Sequence, residues 1–165
     1  MRPLAGEAIT TARLVLEPLR ADDADELAAV LGDERLHEFI GGRPATPAEL
    51  RERYDRLVAG SGKRDEIWLN WTVRRRVDRA AVGTVQATVR AQTALVAWVI
   101  GVDWQGRGFA SEAARALVDR LRAHGAEAVV AHIHPQHGAS EAVAARAGFR
   151  PTDAEVEGER VWLAP

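Results

Sequence analysis

The chain has 165 residues, of which 28% are charged and 47% hydrophobic, with a formal net charge of −2 and a pI near 6.2. That length suits one domain spanning 1–165 with a sizeable core, and the charge gives no electrostatic reason to expect nucleic acid as the main partner. With no cysteine, disulfides, thiolate metal sites and cysteine nucleophiles are excluded. No run approaches membrane-spanning length and the stretch 1–14 lacks a signal-like apolar core, so a cytoplasmic protein without membrane attachment is expected.

In chain order, residues 13–19 (RLVLEPL) alternate as a first strand. Asp22 or Asp23 is placed to cap a helix that carries Leu27, Val30 and Leu31 on one face. Gly41-Gly42 and Pro44 mark a loop, and Thr46-Pro47-Ala48-Glu49 is a helix start, with threonine at the cap, proline at the first turn and glutamate reaching back. Leu50, Tyr54, Leu57 and Val58 form that helix's apolar stripe. Strands at 67–74, 82–89 and 93–100 follow with short polar turns, the pattern of an antiparallel meander. The basic run 74–79 is expected at a solvated hairpin tip. Trp68 and Asn70 share one strand face, and Gln86 lies among threonines on the next strand. If a helix layer covers that face, these side chains become pocket candidates. The five tryptophans, Trp68, Trp71, Trp98, Trp104 and Trp162, are otherwise core material.

The strand ending at Ile100 breaks at Gly101, which suggests a bulge or the close approach of a ligand. Then Gln105-Gly106-Arg107-Gly108-Phe109-Ala110 runs into a helical pattern with Ala113, Leu117 and Leu121. The free N–H groups of a helix N-terminus attract anions, glycines let that backbone come close, and Arg107 adds a charge, so the loop is a candidate phosphate cradle. No lysine fits the Walker loop. A dinucleotide fingerprint is met by Gly106 and Gly108, with Glu127 at a suitable distance, but it finds Ser111 in place of a third small residue. A plain strand-to-helix turn is the alternative.

Residues 128–134 form a further strand and 138–147 a helix stopped by Gly148, and Glu157-Gly158 turns a final hairpin containing Val161 and Trp162. Between them stand Pro135, His137, Ser140, Arg146, Gly148 and Phe149. Together with Gln105, Gly108 and Ala110 these match the two cofactor motifs of the GCN5-related N-acetyltransferases, [QR]-x-x-G-x-[GA] and P-x-N-x-x-[AS], the second followed by a helix ending in G-F. Residues 13–19 and 104–113 look most like the RimJ/RimL-like branch. The resemblance is sharp over 97–149 and vague over 21–90.

The resemblance implies an α+β, three-layer fold. Its central sheet is mixed but mostly antiparallel, splayed between the strand ending at Ile100 and the strand 128–134, with helices on both faces. Acetyl-CoA would lie in the gap, its pantetheine arm against backbone near Ile100 and Val102. Its pyrophosphate would lie on N–H groups of Gln105, Gly106, Arg107, Gly108, Phe109 and Ala110, with Ser111, His137 and Ser140 completing the cofactor contacts. An amine would attack the thioester directly. No tyrosine stands at Ala144, where the family often keeps a general acid, so Ser140 is the candidate acid, with a helix cap as its bland role. The family's glutamate base maps onto His132, and a hydrogen-bonded packing histidine is the alternative. Trp68, Asn70, Gln86 and His134 are candidate acceptor contacts. A metal on His132, His134 and His137 finds no carboxylate at suitable spacing and is not expected. His137 replaces the motif asparagine, and Gln105 the commoner arginine. The expected activity is N-acetylation of a peptide N-terminus or small amine. Use of another short acyl-CoA, or CoA binding without catalysis, remains open. Dimerisation is common in the family.

Overall fold

Period-two alternation of apolar side chains builds the frame of the molecule. The computed structural model describes residues 6–165; residues 1–5, part of the amino-terminal stretch considered above, lie outside the described residues. The strands are β1 (Ile9–Thr10), β2 (Leu14–Pro18), β3 (Glu66–Arg75), β4 (Ala81–Arg90), β5 (Thr93–Ile100), β6 (Ala128–Ile133), β7 (Arg150–Val156) and β8 (Glu159–Leu163). The helices are α1 (Ala24–Val30), α2 (His37–Ile40), α3 (Pro47–Ala59), α4 (Phe109–Ala123) and α5 (Gly138–Arg146). The described residues form one eight-stranded sheet in the order β1-β2-β3-β4-β5-β6-β8-β7. Its pairs are antiparallel except β5–β6, which is parallel. This is the expected mixed, mostly antiparallel α+β architecture. It leaves no place for a dinucleotide-binding parallel sheet, and Glu127 merely ties its N–H to the Gln92 carbonyl at 2.7 Å.

One sheet face packs on α4. Leu69, Trp71 and Val73 of β3, Val85, Ala87 and Val89 of β4, and Val129, Ala131 and Ile133 of β6 are buried with Ala113, Leu117 and Leu121 of the helix. Each fully buried leucine or valine stabilises by roughly 1.5–3 kcal/mol. The other face carries α1 and α3, which bury Leu27, Leu50 and Tyr54 against Leu19 and Ala81. Val58, expected in that stripe, is 58% exposed, while its neighbour Leu57 packs against the cluster of Leu50 and Tyr54. Thr46 Oγ1 accepts the Glu49 N–H at 3.2 Å as expected, while the Glu49 carboxylate pairs with Arg43 at 3.0 Å.

Three local expectations are corrected. Asp23 does not cap α1 with its side chain. Its Oδ2 accepts from the Arg20 N–H at 3.0 Å and from Thr72 Oγ1 at 2.8 Å, and its Oδ1 from Arg74. Arg74 in turn is no solvated tip residue, since it is held inward by Glu17, Asp23 and Glu26. Lastly, β5 has no bulge at its end: the β4–β5 register runs unbroken from Arg90↔Thr93 to Gly83↔Ile100. The irregularity lies in the β3–β4 pair, where Val73↔Gly83 is followed by Arg74↔Ala81 and Val82 is the extra residue. Gly101 is needed for a different close approach. A Cβ there would lie 2.6 Å from the Val30 carbonyl oxygen, so the chain passes against the end of α1 only without a side chain.

The feature that positions the site is the splay of the sheet. β5 and β6 pair only at Thr93↔Ala128, Ala94↔Val129 and Leu95↔Val130. Beyond Leu95 they diverge, and the edge of β5 that would bond to β6 is left free. Trp98 and Phe149, with ring centroids 5.9 Å apart, fill the widening on the core side.

Candidate active site

Three adjoining cavities open along the splay, and Val99 of β5 lines all of them. The largest, about 480 Å³, runs from Val99, Ile100 and Val102 to the start of α4 and across to α5. A second, about 340 Å³, lies between β4, β5 and β6 on the cleft face. The third, about 170 Å³, lies under α1 and α3. Phe39, Trp98, Val99, His137 and Ser140 are common to the first two, which makes this group the junction.

The large arm is built mostly from backbone. Gly106 and Gly108 take φ of +76° and +81°, a region costly for residues with a Cβ, and this turns the chain into α4. The first intrahelical bond there is Glu112 N–H to the Gly108 carbonyl at 3.0 Å, so the N–H groups of Phe109, Ala110 and Ser111 precede it and lack helical partners. Ser111 Oγ, buried in the cavity wall, has no hydrogen-bond partner. Unpaired donors at a helix N-terminus, with a buried hydroxyl among them, are suited to holding an anion. The cations lining it are Arg35 and Arg146, and no carboxylate does. Arg107 is turned away: its guanidinium lies 5.0 Å from the Trp104 ring centroid and donates to the Asp103 carbonyl at 3.2 Å. Gln105 lines the cavity but uses its Nε2 to bond the Ile100 carbonyl at 2.9 Å.

A clamp from the other end of the chain fixes this loop. Arg13 donates from Nε to Glu112 at 2.7 Å and from Nη1 to the Arg107 carbonyl at 2.8 Å, while lying 4.6 Å from the Phe109 ring centroid. Burial alone would raise the Glu112 carboxyl, but bonds from Thr11, the Arg13 N–H and the Arg13 guanidinium outweigh it and hold it below its ordinary value.

At the free edge of β5, Gly101 N–H bonds the Val82 carbonyl at 2.8 Å, on the β4 side. Alternation along the strand therefore turns the N–H groups of Trp98 and Ile100 into the splay. Ser140 is the third residue of α5, not its cap, and its hydroxyl lies 3.4 Å from His137 Nε2. The His137 ring stacks on Phe39 with centroids 4.3 Å apart. Burial, and then the neighbouring His134, push the His137 imidazole below its ordinary value of 6.5, which favours the neutral ring at neutral pH.

The middle cavity brings together Thr84, Gln86, His132, His134 and Glu159. His134 Nδ1 accepts the Gln136 N–H at 3.1 Å, which fixes its tautomer. Asn70 and Gln86 are cross-strand partners, and both line the cavity under α1 and α3. Trp68 is left out: its Nε1 donates to Glu66 at 2.7 Å, and it lines none of these cavities. Among the described residues no three His, Asp or Glu side chains gather in a metal-binding arrangement.

Sequence reasoning missed four residues here. Tyr54, which the sequence shows only as part of the apolar stripe of α3, lines the small cavity with Asn70 and Gln86, and burial pushes its phenol up to about 12. Phe39, Arg35 and Glu159 had no motif around them. Only the topology, with α2 lying over the splay and β8 pairing with β6, brings them in.

The fold is that of the acetyltransferases. The GNAT-family acetyltransferase of Bacillus anthracis superposes with a TM-score of 0.78 at 17% identity, over 95% of this chain and 95% of that one. An acetyltransferase from Agrobacterium tumefaciens gives 0.77 at 20% identity, over 100% and 98%. Mycobacterium smegmatis RimJ, solved in complex with CoA-disulfide, gives 0.78 at 20% identity, over 99% and 88%. The chain belongs to the GNAT acetyltransferase family, whose acetyltransferase domain model matches residues 13–150. No curated protein matches it.

Proposed function

We propose that the protein moves an acetyl group from acetyl-CoA to a primary amine by direct attack, with no acyl-enzyme. The observation that carries this is one continuous cleft. At one end lie unpaired helix N–H groups, the buried Ser111 hydroxyl and Arg146, suited to a pyrophosphate. At the other lies a pocket of polar side chains, among them Gln86, His132 and Glu159. The splayed edge of β5 connects them and offers the pantetheine arm the backbone groups of Trp98 and the Ile100 N–H, the Ile100 carbonyl being bonded by Gln105.

Free amines have pKa values of about 8 to 10, so the acceptor must be deprotonated before it attacks. His132 takes that proton, directly or through a water, and an imidazole suits the task near neutral pH. The N–C bond forms, and the tetrahedral oxygen is stabilised by a β5 N–H at the junction. As the C–S bond breaks, the Ser140 hydroxyl, backed by His137 Nε2, donates a proton to the CoA thiolate and is reprotonated by the second proton leaving the newly acylated nitrogen. The resemblance of residues 13–19 and 104–113 supports a place near the RimJ/RimL-like enzymes. Among the described residues no helix is long and apolar enough to cross a membrane, in keeping with work in the cytoplasm on a diffusible acceptor.

Calorimetric titration with acetyl-CoA, followed by thiol release across a panel of amines, tests this reading. Saturable binding with amine-dependent CoA release is expected. Binding without release from any amine would make the protein a CoA sensor, and no binding would remove the phosphate role of the loop.

A further inference from the structure

The two arms of the cleft differ in charge. The α4 arm carries Arg146, which has no carboxylate partner among the described residues, and Arg35, which is paired with Asp33 at 2.7 Å; the β4–β6 cavity carries Glu159 and neither lysine nor arginine. Glu159 opens β8. The antiparallel register His132↔Val161, Ile133↔Arg160 continues to set Glu159 beside His134, on the face that bears His132. Glu159 is half-buried in the cavity wall, and its carboxylate makes no hydrogen bond or ion pair among the described residues. Thr84, Gln86, Thr88 and His132, which line the same cavity, likewise have side chains with no partner there. A set of unspent donors and acceptors around one unpaired anion is a recognition surface. Elsewhere the carboxylates of Asp23, Glu66 and Glu112 are each held by an arginine, while Glu141 of α5, also partly buried, has no such partner among the described residues.

Resting on the transferase reading above, we infer that the acceptor is a compact diamine-like cation. Its reacting nitrogen sits at the junction of Val99 and Ser140, and its second ammonium pairs with Glu159. The cavity of about 340 Å³ equals the volume of roughly eleven liquid waters, enough for a short aliphatic amine. A monoamine leaves the carboxylate desolvated without a partner, which is where discrimination arises. An anionic acceptor is repelled.

Steady-state CoA release from saturating acetyl-CoA compares butylamine, 1,4-diaminobutane, 1,5-diaminopentane, 4-aminobutyrate and a neutral tripeptide with a free N-terminus. In the wild-type protein a diamine is expected to exceed butylamine at least tenfold in kcat/KM, with aminobutyrate and the tripeptide lowest. In Glu159→Gln that ratio falls towards one through KM, while calorimetric affinity for acetyl-CoA stays within about twofold and reports an intact fold. Glu159→Lys shifts preference towards aminobutyrate. Equal rates for mono- and diamines, a preference for the tripeptide, or a diamine preference that survives Glu159→Gln would each overturn the inference while leaving the transferase reading intact. Tight acetyl-CoA binding with no release from any amine would overturn both.

Discussion

The α4 arm and the β4–β6 arm of the cleft are built on different principles. The first is a backbone device: consecutive residues from Gly106 to Ser111 supply its donors, and Arg13 and Glu112 pin the loop from the side. The second is assembled from side chains far apart in sequence, with Gln86 from β4, His132 from β6, Ser140 from α5 and Glu159 from β8. A cofactor common to a family needs an invariant cradle, which backbone geometry supplies. A particular acceptor is read by exchangeable side chains. Substitutions in one arm should therefore move one kinetic parameter and spare the other.

The largest expected effect lies in the side-chain arm. His132→Ala should lower kcat by about 100-fold or more, the range for loss of a general base, with acetyl-CoA affinity by calorimetry unchanged. A parallel loss of acetyl-CoA affinity would show that the arms are not separable. Next is the backbone arm: Gly108→Ala forces a Cβ into the left-handed region, 3.3 Å from Arg13 Nη2. It should cost about 1–2 kcal/mol of stability in urea unfolding and raise the acetyl-CoA Kd about tenfold. Arg146→Ala should raise that Kd only a few-fold, more at low salt than at high, because an exposed ionic contact is worth about 1 kcal/mol or less.

The smallest effect concerns pH. The folded His137 sits below its unfolded value of 6.5, chiefly through burial, so the unfolded chain binds the proton more readily. Its contribution to stability is full above pH 6.5 and is lost as the pH falls through the lower folded value. The Tm drop between pH 7.5 and 5.5 should be smaller in His137→Asn than in the wild type. An equal drop would place the acid sensitivity elsewhere.

The same contrast explains what the sequence could convey. The meander, α4, α5 and the final hairpin follow from alternation, the apolar stripe of α4, and Glu157-Gly158 at φ of +51° and +82°. The phosphate loop is contiguous, so its glycine spacing is legible, as is the placing of Ser140 at the junction. Side-chain direction was not legible. Arg107 is the obvious cation beside the loop, yet its guanidinium lies over Trp104 and bonds the Asp103 carbonyl, and it is Arg146 from α5 that lines the cavity. Gly101 signals a close approach, and the partner the structure shows is Val30 of α1. Tyr54 and Glu159 enter only through the tertiary course of α3 and β8. No period or motif marks a residue whose role depends on which strand becomes its neighbour.

The central claim is that acetyl-CoA bound in the backbone arm presents its thioester to the side-chain arm at Val99. Val99→Trp places a bulky ring at the one residue lining all three cavities. Calorimetry and amine-dependent CoA release on this variant should show CoA binding within about threefold of wild type and turnover reduced at least 100-fold. Turnover near the wild-type rate would contradict the account, because the two arms would then meet somewhere else.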